Sequence, residues 1–149
     1  KGIAAVRYPK GEAANGNSEK ADYDLRFYER GGRALIITYG RITENALAAA
    51  KKAKADLLQM VKIYPIPEKA LCIAEKYNKV LFFEEGIRSG GIAEKFSVLL
   101  YQREWKGSFK ITAVSDSFVK YGDTEKQLSH FGLDIEGMIR AAGESIGQA

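Results

Sequence analysis

The residues with the most chemical potential lie together in one run, Val80-Leu81-Phe82-Phe83-Glu84-Glu85-Gly86-Ile87-Arg88-Ser89-Gly90-Gly91-Ile92. Two carboxylates follow four apolar residues at once, and a glycine pair comes just after. Ligand chemistry in open α/β sheets collects beyond the carboxyl ends of buried strands, so Glu84 and Glu85 stand where function is expected. A plain reading competes: a solvated strand end and a tight turn. The glycines build no dinucleotide cradle, since G-x-G-x-x-G is missing, and no Walker phosphate loop occurs. Cys72 and His130 are the single residues of their kinds. They fall in separate elements with nothing to orient them, so they make no nucleophile–base pair. Cys72 reads as a small packing residue on a helix, and His130 as a solvent-facing residue near a helix end. No cluster of metal-ligating residues appears.

The elements that must carry this run follow from periodicity. Val80–Phe83 is a strand buried on both faces, and Ile92, Phe96, Leu99 and Leu100 mark a helix after the glycines. The predicted order there is strand, acidic loop, glycine turn, helix. Upstream, Tyr23–Tyr28 alternates like a half-exposed edge strand, and Gly31-Gly32 turns the chain. Ala34–Tyr39 is a central strand ended by Gly40. Ile42, Ala46, Ala49, Ala50 and Ala53 then give a helix face of small residues. Leu57–Ile63 is the next strand, and Pro67 opens a helix carrying Ala70, Ile73, Ala74 and Tyr77. Trp105–Ser108 is a loop and Phe109–Val114 a fifth strand. A short helix lies around Glu125–His130. Asp134 caps a last helix with Ile135, Met138, Ile139, Ala142 and Ile146 on one side. The capping box is incomplete, because Gly137 stands where a glutamate would help. Strand–helix alternation after Ala34 predicts an α/β fold with helices on both faces of the sheet.

Composition sets outer bounds. A chain of 149 residues, 46% of them apolar, suits one domain with a proper core. The net charge of +4 is mild, and the lysines are scattered: Lys51, Lys52 and Lys54 on one helix, Lys76 and Lys79 near another. No basic run interleaves with aromatics, so no nucleic-acid partner is expected. No apolar stretch approaches the roughly 20 residues that cross a bilayer, so no membrane partner is expected either, and the cytoplasm is the default location. Residues 1–21 read as the end of something else. Ile3–Val6 resembles a last strand stopped by Pro9, and residues 12–21 are a linker rich in Ala, Asn, Gly and Ser. The domain proper is expected over residues 22–149.

Six segments, in order, resemble one family. Ala5-Val6-Arg7-Tyr8-Pro9-Lys10-Gly11 is similar to the "RYPRG" closing the pyrimidine-binding domain of 1-deoxy-D-xylulose-5-phosphate synthases. Ala34–Gly40 resembles their "lailatfG" strand, and Met60–Pro65 sits at "arFvKPLD". Phe83-Glu84-Glu85 with Gly90-Gly91 looks like "vEEn…GGfGs". Asp116, Phe118 and Gly122 fall on "lPDxFvxhG", and Phe131–Asp134 on "GLDxxgI". The resemblance implies the C-terminal domain of a thiamine-diphosphate-dependent transketolase: a three-layer, five-stranded mixed sheet with one antiparallel edge strand beside Leu58–Ile63. The double glycine taken alone would instead pair Tyr23–Tyr28 with Ala34–Tyr39. The family's cofactor motif and its activating glutamate lie in other domains. The resemblance therefore implies no catalytic, cofactor-binding or metal-binding residue in this stretch, with thiamine diphosphate and Mg²⁺ held by the intact enzyme of isoprenoid biosynthesis.

The same resemblance implies partners and sites. The partners are the other domains or subunits of a parent enzyme, homodimeric when intact. Glu84, Glu85, Gly90 and Gly91, with the helix after them, are the implied dimer contact. Arg7 keeps one of two arginines that hold the acceptor's phosphate in the family. The other falls on Val61, with Lys62 next to it. Strand neighbours point to opposite faces, so Lys62 substitutes only if the register shifts or the strand bulges. Tyr64, Pro67, Ser115 and Tyr121 depart from the family's pattern. Two other readings stay open: the matching domain of a 2-oxoacid dehydrogenase or pyruvate:ferredoxin oxidoreductase, and a free-standing interaction or regulatory module.

Overall fold

The computed structural model describes residues 2–6, 23–116, 118–119 and 121–143. Five strands form one sheet: β1 (Leu25–Tyr28), β2 (Leu35–Tyr39), β3 (Asp56–Met60), β4 (Lys79–Ile87) and β5 (Ser108–Val114). Their spatial order is β1-β3-β2-β4-β5. β1 pairs antiparallel with β3, Leu25 opposite Met60, and every other pair is parallel. The expected mixed sheet with an antiparallel edge strand is thus observed. The hairpin that Gly31-Gly32 would suggest by itself does not form. Gly32 instead carries the chain across the start of β3. A Cβ on it would lie 2.7 Å from the backbone of Lys54, Ala55 and Asp56.

Alternation along the strands makes two cores. Leu35, Ile37, Leu58, Val80 and Phe82 face α2 (Glu68–Ala74) and α3 (Ile92–Gln102). Phe96 of α3 lies 5.6 Å from Phe82, ring centre to centre. Ile36, Leu57, Leu81 and Phe83 face the other way, onto α1 (Thr43–Ala53) and α5 (Ile135–Gly143). Alanines 46, 49 and 50 are fully buried there, because small side chains let α1 lie close to the sheet. Helix α4 (Thr124–His130) buries no residue fully and only leans Leu128 on this second core. Helices on both faces of one sheet give the three layers.

Several local expectations change. β3 ends at Met60 rather than Ile63, and β4 runs on through Glu84 and Glu85 to Ile87, so the acidic pair belongs to the strand, not to a loop. Pro67 caps α2 from outside in an extended conformation (ψ 132°) and is not its first helical residue. Cys72 is exposed on α2, where its side chain receives an Arg103 N–H at 3.7 Å; it is not a packing residue. His130 is exposed at the end of α4, as expected. Residues 2–6 form no strand, and Ile3 and Val6 are exposed, because no strand lies beside them to complete a ladder. Ile146 falls outside the described residues.

Asp56 pins the start of β3. Its carboxylate accepts from the backbone N–H groups of Arg30 and Gly32 and from the Tyr77 hydroxyl, while being 2% exposed. Burial pushes its pKa up, but the Tyr77, Gly32 and Arg30 hydrogen bonds outweigh that and hold it below the usual 3.8. A carboxylate depressed in the folded state binds fewer protons there than when unfolded, so its contribution is whole above about pH 4 and declines as pH falls through the folded value. Denaturant unfolding at a series of pH values should show stability falling below pH 4. Asp56→Asn should flatten that slope. An unchanged slope would remove Asp56 from the acid response.

Candidate functional site

The carboxyl ends of the parallel strands bring Lys62, Glu84, Glu85, Gly90 and Gly91 to one edge of the sheet, and separate their roles. Glu84 is the last fully buried residue of β4, at 0% exposure. Its Oε2 accepts from the Tyr39 hydroxyl at 2.9 Å, from the Ile92 N–H at 3.0 Å and from the Ala93 N–H at 3.4 Å. The first turn of a helix has N–H groups with no intrahelical acceptor, and a carboxylate there also meets the positive end of the helix dipole. Glu84 is therefore the acceptor that ties α3 to β4 and β2. The Tyr39 phenol is pushed well above its ordinary pKa by burial first, then by the charge of Glu84 and by the hydrogen bond to it.

The glycines serve this anchor. A Cβ on Gly91 would stand 2.1 Å from Glu84 Oε1 and 2.8 Å from the Ile87 carbonyl oxygen, so only glycine permits the close pass. Gly90 takes a left-handed φ of 74°, and its N–H donates to Glu94 at 2.7 Å. The β4–β5 register slips between Glu84 and Ile87, a bulge that redirects the strand just before this turn.

Glu85 faces out, where the Arg41 guanidinium grips it through Nε and Nη2. Asp116, after β5, accepts from the Ser89 N–H at 3.1 Å and from the Ser89 hydroxyl, which closes the other side of the turn. The implied contact patch is thus divided. Glu85 and Gly90 are exposed and Gly91 is half-buried, whereas Glu84 has no surface to offer a partner. Tyr39, Arg41 and Ser89 carry much of the geometry, and sequence reasoning missed them. Their one signal was position, at strand ends beside the acidic pair.

Val61 and Lys62 follow the last residue of the β3 ladder. Both backbone N–H groups donate to the single Asp24 carbonyl, at 3.0 and 2.9 Å. Two residues opposite one is a bulge-like arrangement, and it ends the strict alternation that would hold the two side chains on opposite faces. Lys62 Nζ is 3.9 Å from Asp24. Arg7 lies outside the described residues. Cys72 and His130 sit on helices of opposite layers and are not brought together. Among the described residues no group of three His, Cys, Asp or Glu is placed to hold a metal ion, and no helix is long and apolar enough to cross a membrane. The arrangement can fix a turn and a helix.

A family model described as "Transketolase, C-terminal domain" matches residues 25–138. The chain belongs to that family. Among curated proteins it is similar to the 1-deoxy-D-xylulose-5-phosphate synthase of Thermotoga petrophila, 30% identical over 93% of this chain and 24% of the relative. It is similar also to that of Methylibium petroleiphilum, 32% identical over 90% of this chain and 23% of the relative. The chain therefore spans about a quarter of the length of these relatives. A solved "Split gene transketolase, inactive beta4 tetramer" superposes with a TM-score of 0.70 at 20% identity, covering 92% of this chain and 45% of that one. Transketolase from Leishmania mexicana superposes at 0.58 with 13% identity, over 82% of this chain and 18% of that one. At those identities the superpositions speak for the fold.

Proposed function

We propose that this domain is the C-terminal part of a 1-deoxy-D-xylulose-5-phosphate synthase-like transferase, that it supports dimerisation and borders the site of the acceptor's phosphate, and that chemistry takes place elsewhere in the enzyme. The observation that carries this is the 30% identity along 93% of the chain to a synthase about four times longer. Thiamine diphosphate and Mg²⁺ belong to the remaining domains in this reading, which places the enzyme in the cytoplasm and in isoprenoid biosynthesis. Residues 1–21 are then the tail of the preceding pyrimidine-binding domain and a linker. The exposure of Ile3 and Val6 supports that, since a strand whose sheet lies in another domain has nothing to pair with here. Glu85, Gly90, Gly91 and α3 offer the dimer contact, with Glu84 shaping it from beneath. A chimera tests the whole reading: residues 25–143 replace the matching domain of the Thermotoga petrophila synthase. Recovered synthase activity is expected; a folded but inactive dimer would count against it.

Calorimetric titration of the 149-residue chain with thiamine diphosphate and Mg²⁺ should give no binding tighter than roughly 100 μM, about −5.5 kcal/mol. Tighter binding would mean that the domain's role is misread.

Lys62, with Arg7 across the domain boundary, is the proposed phosphate contact. The paired Val61 and Lys62 N–H bonds to Asp24 support it, because a bulge frees Lys62 from the face that strict alternation would assign. A lost charge-assisted contact costs about 1.5–3 kcal/mol, roughly ten- to hundredfold in affinity. In the chimera, Lys62→Ala should raise KM for glyceraldehyde 3-phosphate about tenfold with little change in kcat, while Val61→Arg does nothing. If Val61→Arg lowers KM and Lys62→Ala is silent, the assignment of Lys62 fails.

A further inference from the structure

Among the described residues, twelve large apolar side chains are exposed, and eight of them lie along one edge of the sheet. Tyr23 precedes β1, Val61, Ile63 and Tyr64 follow β3, Ile87 ends β4, and Phe118, Val119 and Tyr121 follow β5. Because β1 is antiparallel, Tyr23 emerges at the same edge as the ends of the parallel strands. Phe118 is 92% and Tyr121 106% exposed. A cavity of about 420 Å³ opens between them and Phe131. The opposite edge exposes Arg30, Arg33, Lys54, Asn78 and Ser108, and no large apolar residue among those described.

Two charged pairs on this edge are matched within the chain, Lys62 with Asp24 and Arg41 with Glu85. Lys95 stands over the Tyr64 ring at 5.3 Å. An edge that is apolar between internally matched charges is poorly suited to loose, charge-steered encounters. It suits a permanent contact, whose core is depleted of unpaired charge. Five strands about 4.8 Å apart make this edge roughly 20 Å wide, a breadth suited to contact with a whole domain.

We infer that the exposed apolar side chains of this edge, from Tyr23 to Tyr121, form the docking face for the amino-terminal three quarters of a synthase-like enzyme, and that self-association uses α3 with Glu85, Gly90 and Gly91. This rests on the proposed function. The relatives supply the covering body, since three quarters of their length lies outside the match. The second face is α3, whose Val98 and Tyr101 are the exposed large apolar side chains outside the edge and residues 2–6. The edge thus serves as the seam between domains, and α3 serves the two-fold contact.

The probe is the Thermotoga petrophila synthase truncated before its own matching domain. Its binding to the full 149-residue chain is measured by surface plasmon resonance, and self-association by sedimentation. Wild type should bind. Tyr64→Glu and Phe118→Glu should each weaken binding roughly tenfold or more, as expected for buried aromatic anchors. Both side chains are exposed in the free domain, and circular dichroism confirms that the variants fold. Val98→Glu should leave binding to the probe intact and reduce self-association. If wild type binds and the edge variants bind equally well, the docking face is elsewhere and the inference alone falls. Loss of binding in Val98→Glu instead would move the seam to α3, and loss of self-association in the edge variants would make a second copy the occupant; either overturns it. No binding of wild type overturns this inference together with the proposed function.

Discussion

Glu84→Ala should destabilise the domain by about 3–5 kcal/mol, the largest effect expected of any single side chain here. The substitution leaves the Tyr39 hydroxyl and the Ile92 and Ala93 N–H groups without their shared acceptor. An orphaned buried donor costs about 1–3 kcal/mol. The Ala93 contact is long at 3.4 Å and adds least, so two full penalties and a small cavity set the range. Glu84→Gln keeps one acceptor oxygen and should cost about 1–2 kcal/mol. Urea unfolding of the three proteins gives the comparison. At this chain length the alanine variant should melt roughly 10 °C lower. If Glu84→Ala stays within 1 kcal/mol of wild type, Glu84 is not the anchor of α3. Hydrogen exchange at Ile92 and Ala93 should accelerate more than exchange in β2, because the loss begins at the start of α3.

Gly137→Ala should also destabilise, by about 1–3 kcal/mol, although propensity alone argues the opposite sign. Alanine in a helix interior is worth up to about 1 kcal/mol over glycine. At Gly137, however, an added Cβ would stand 2.6 Å from the Gly132 Cα and 2.7 Å from the Asp134 Oδ1 that caps the helix. Two of the three nearest atoms are backbone, so the turn itself must move, and the Gly137 N–H bond to Asp134 at 2.8 Å moves with it. Gly143, in the same helix, has no atom within 4 Å of an added Cβ. Gly143→Ala should therefore be neutral or slightly stabilising. The pair decides between crowding and propensity: if both variants gain stability, the close approach at Gly137 is not real.

Much of the fold was legible in the chain before any coordinates. Period-two and continuous apolar runs located all five strands, and small-residue spacing located α1, because burial imposes a pattern on side chains that local order alone displays. The Asp134 cap and the small helix ending at His130 were legible for the same local reason. Motif order pointed to the family and, through it, to the edge pairing of β1 with β3. Local signals said otherwise there: a glycine pair reads as a hairpin, and only the close pass of Gly32 over the start of β3 explains why it is not one.

Tertiary structure decided what the acidic pair does. Sequence treats Glu84 and Glu85 as equals in a loop. The strand continues through both, and its pleat sends one inward and one outward. The inward carboxylate finds Tyr39, 45 residues away in sequence, and the start of α3; the outward one finds Arg41. Neither pairing has a local signature. Gly137 looked like a missing glutamate for the same reason, since the atoms that forbid a side chain there come from a turn folded back against the helix. The end of β3 at Met60, and with it the freedom of Lys62, depends on one carbonyl of Asp24, just before β1 and far away in sequence. Periodicity reports which residues must be buried, whereas which of two neighbours meets which partner depends on contacts between distant segments, and those exist only once the sheet has formed.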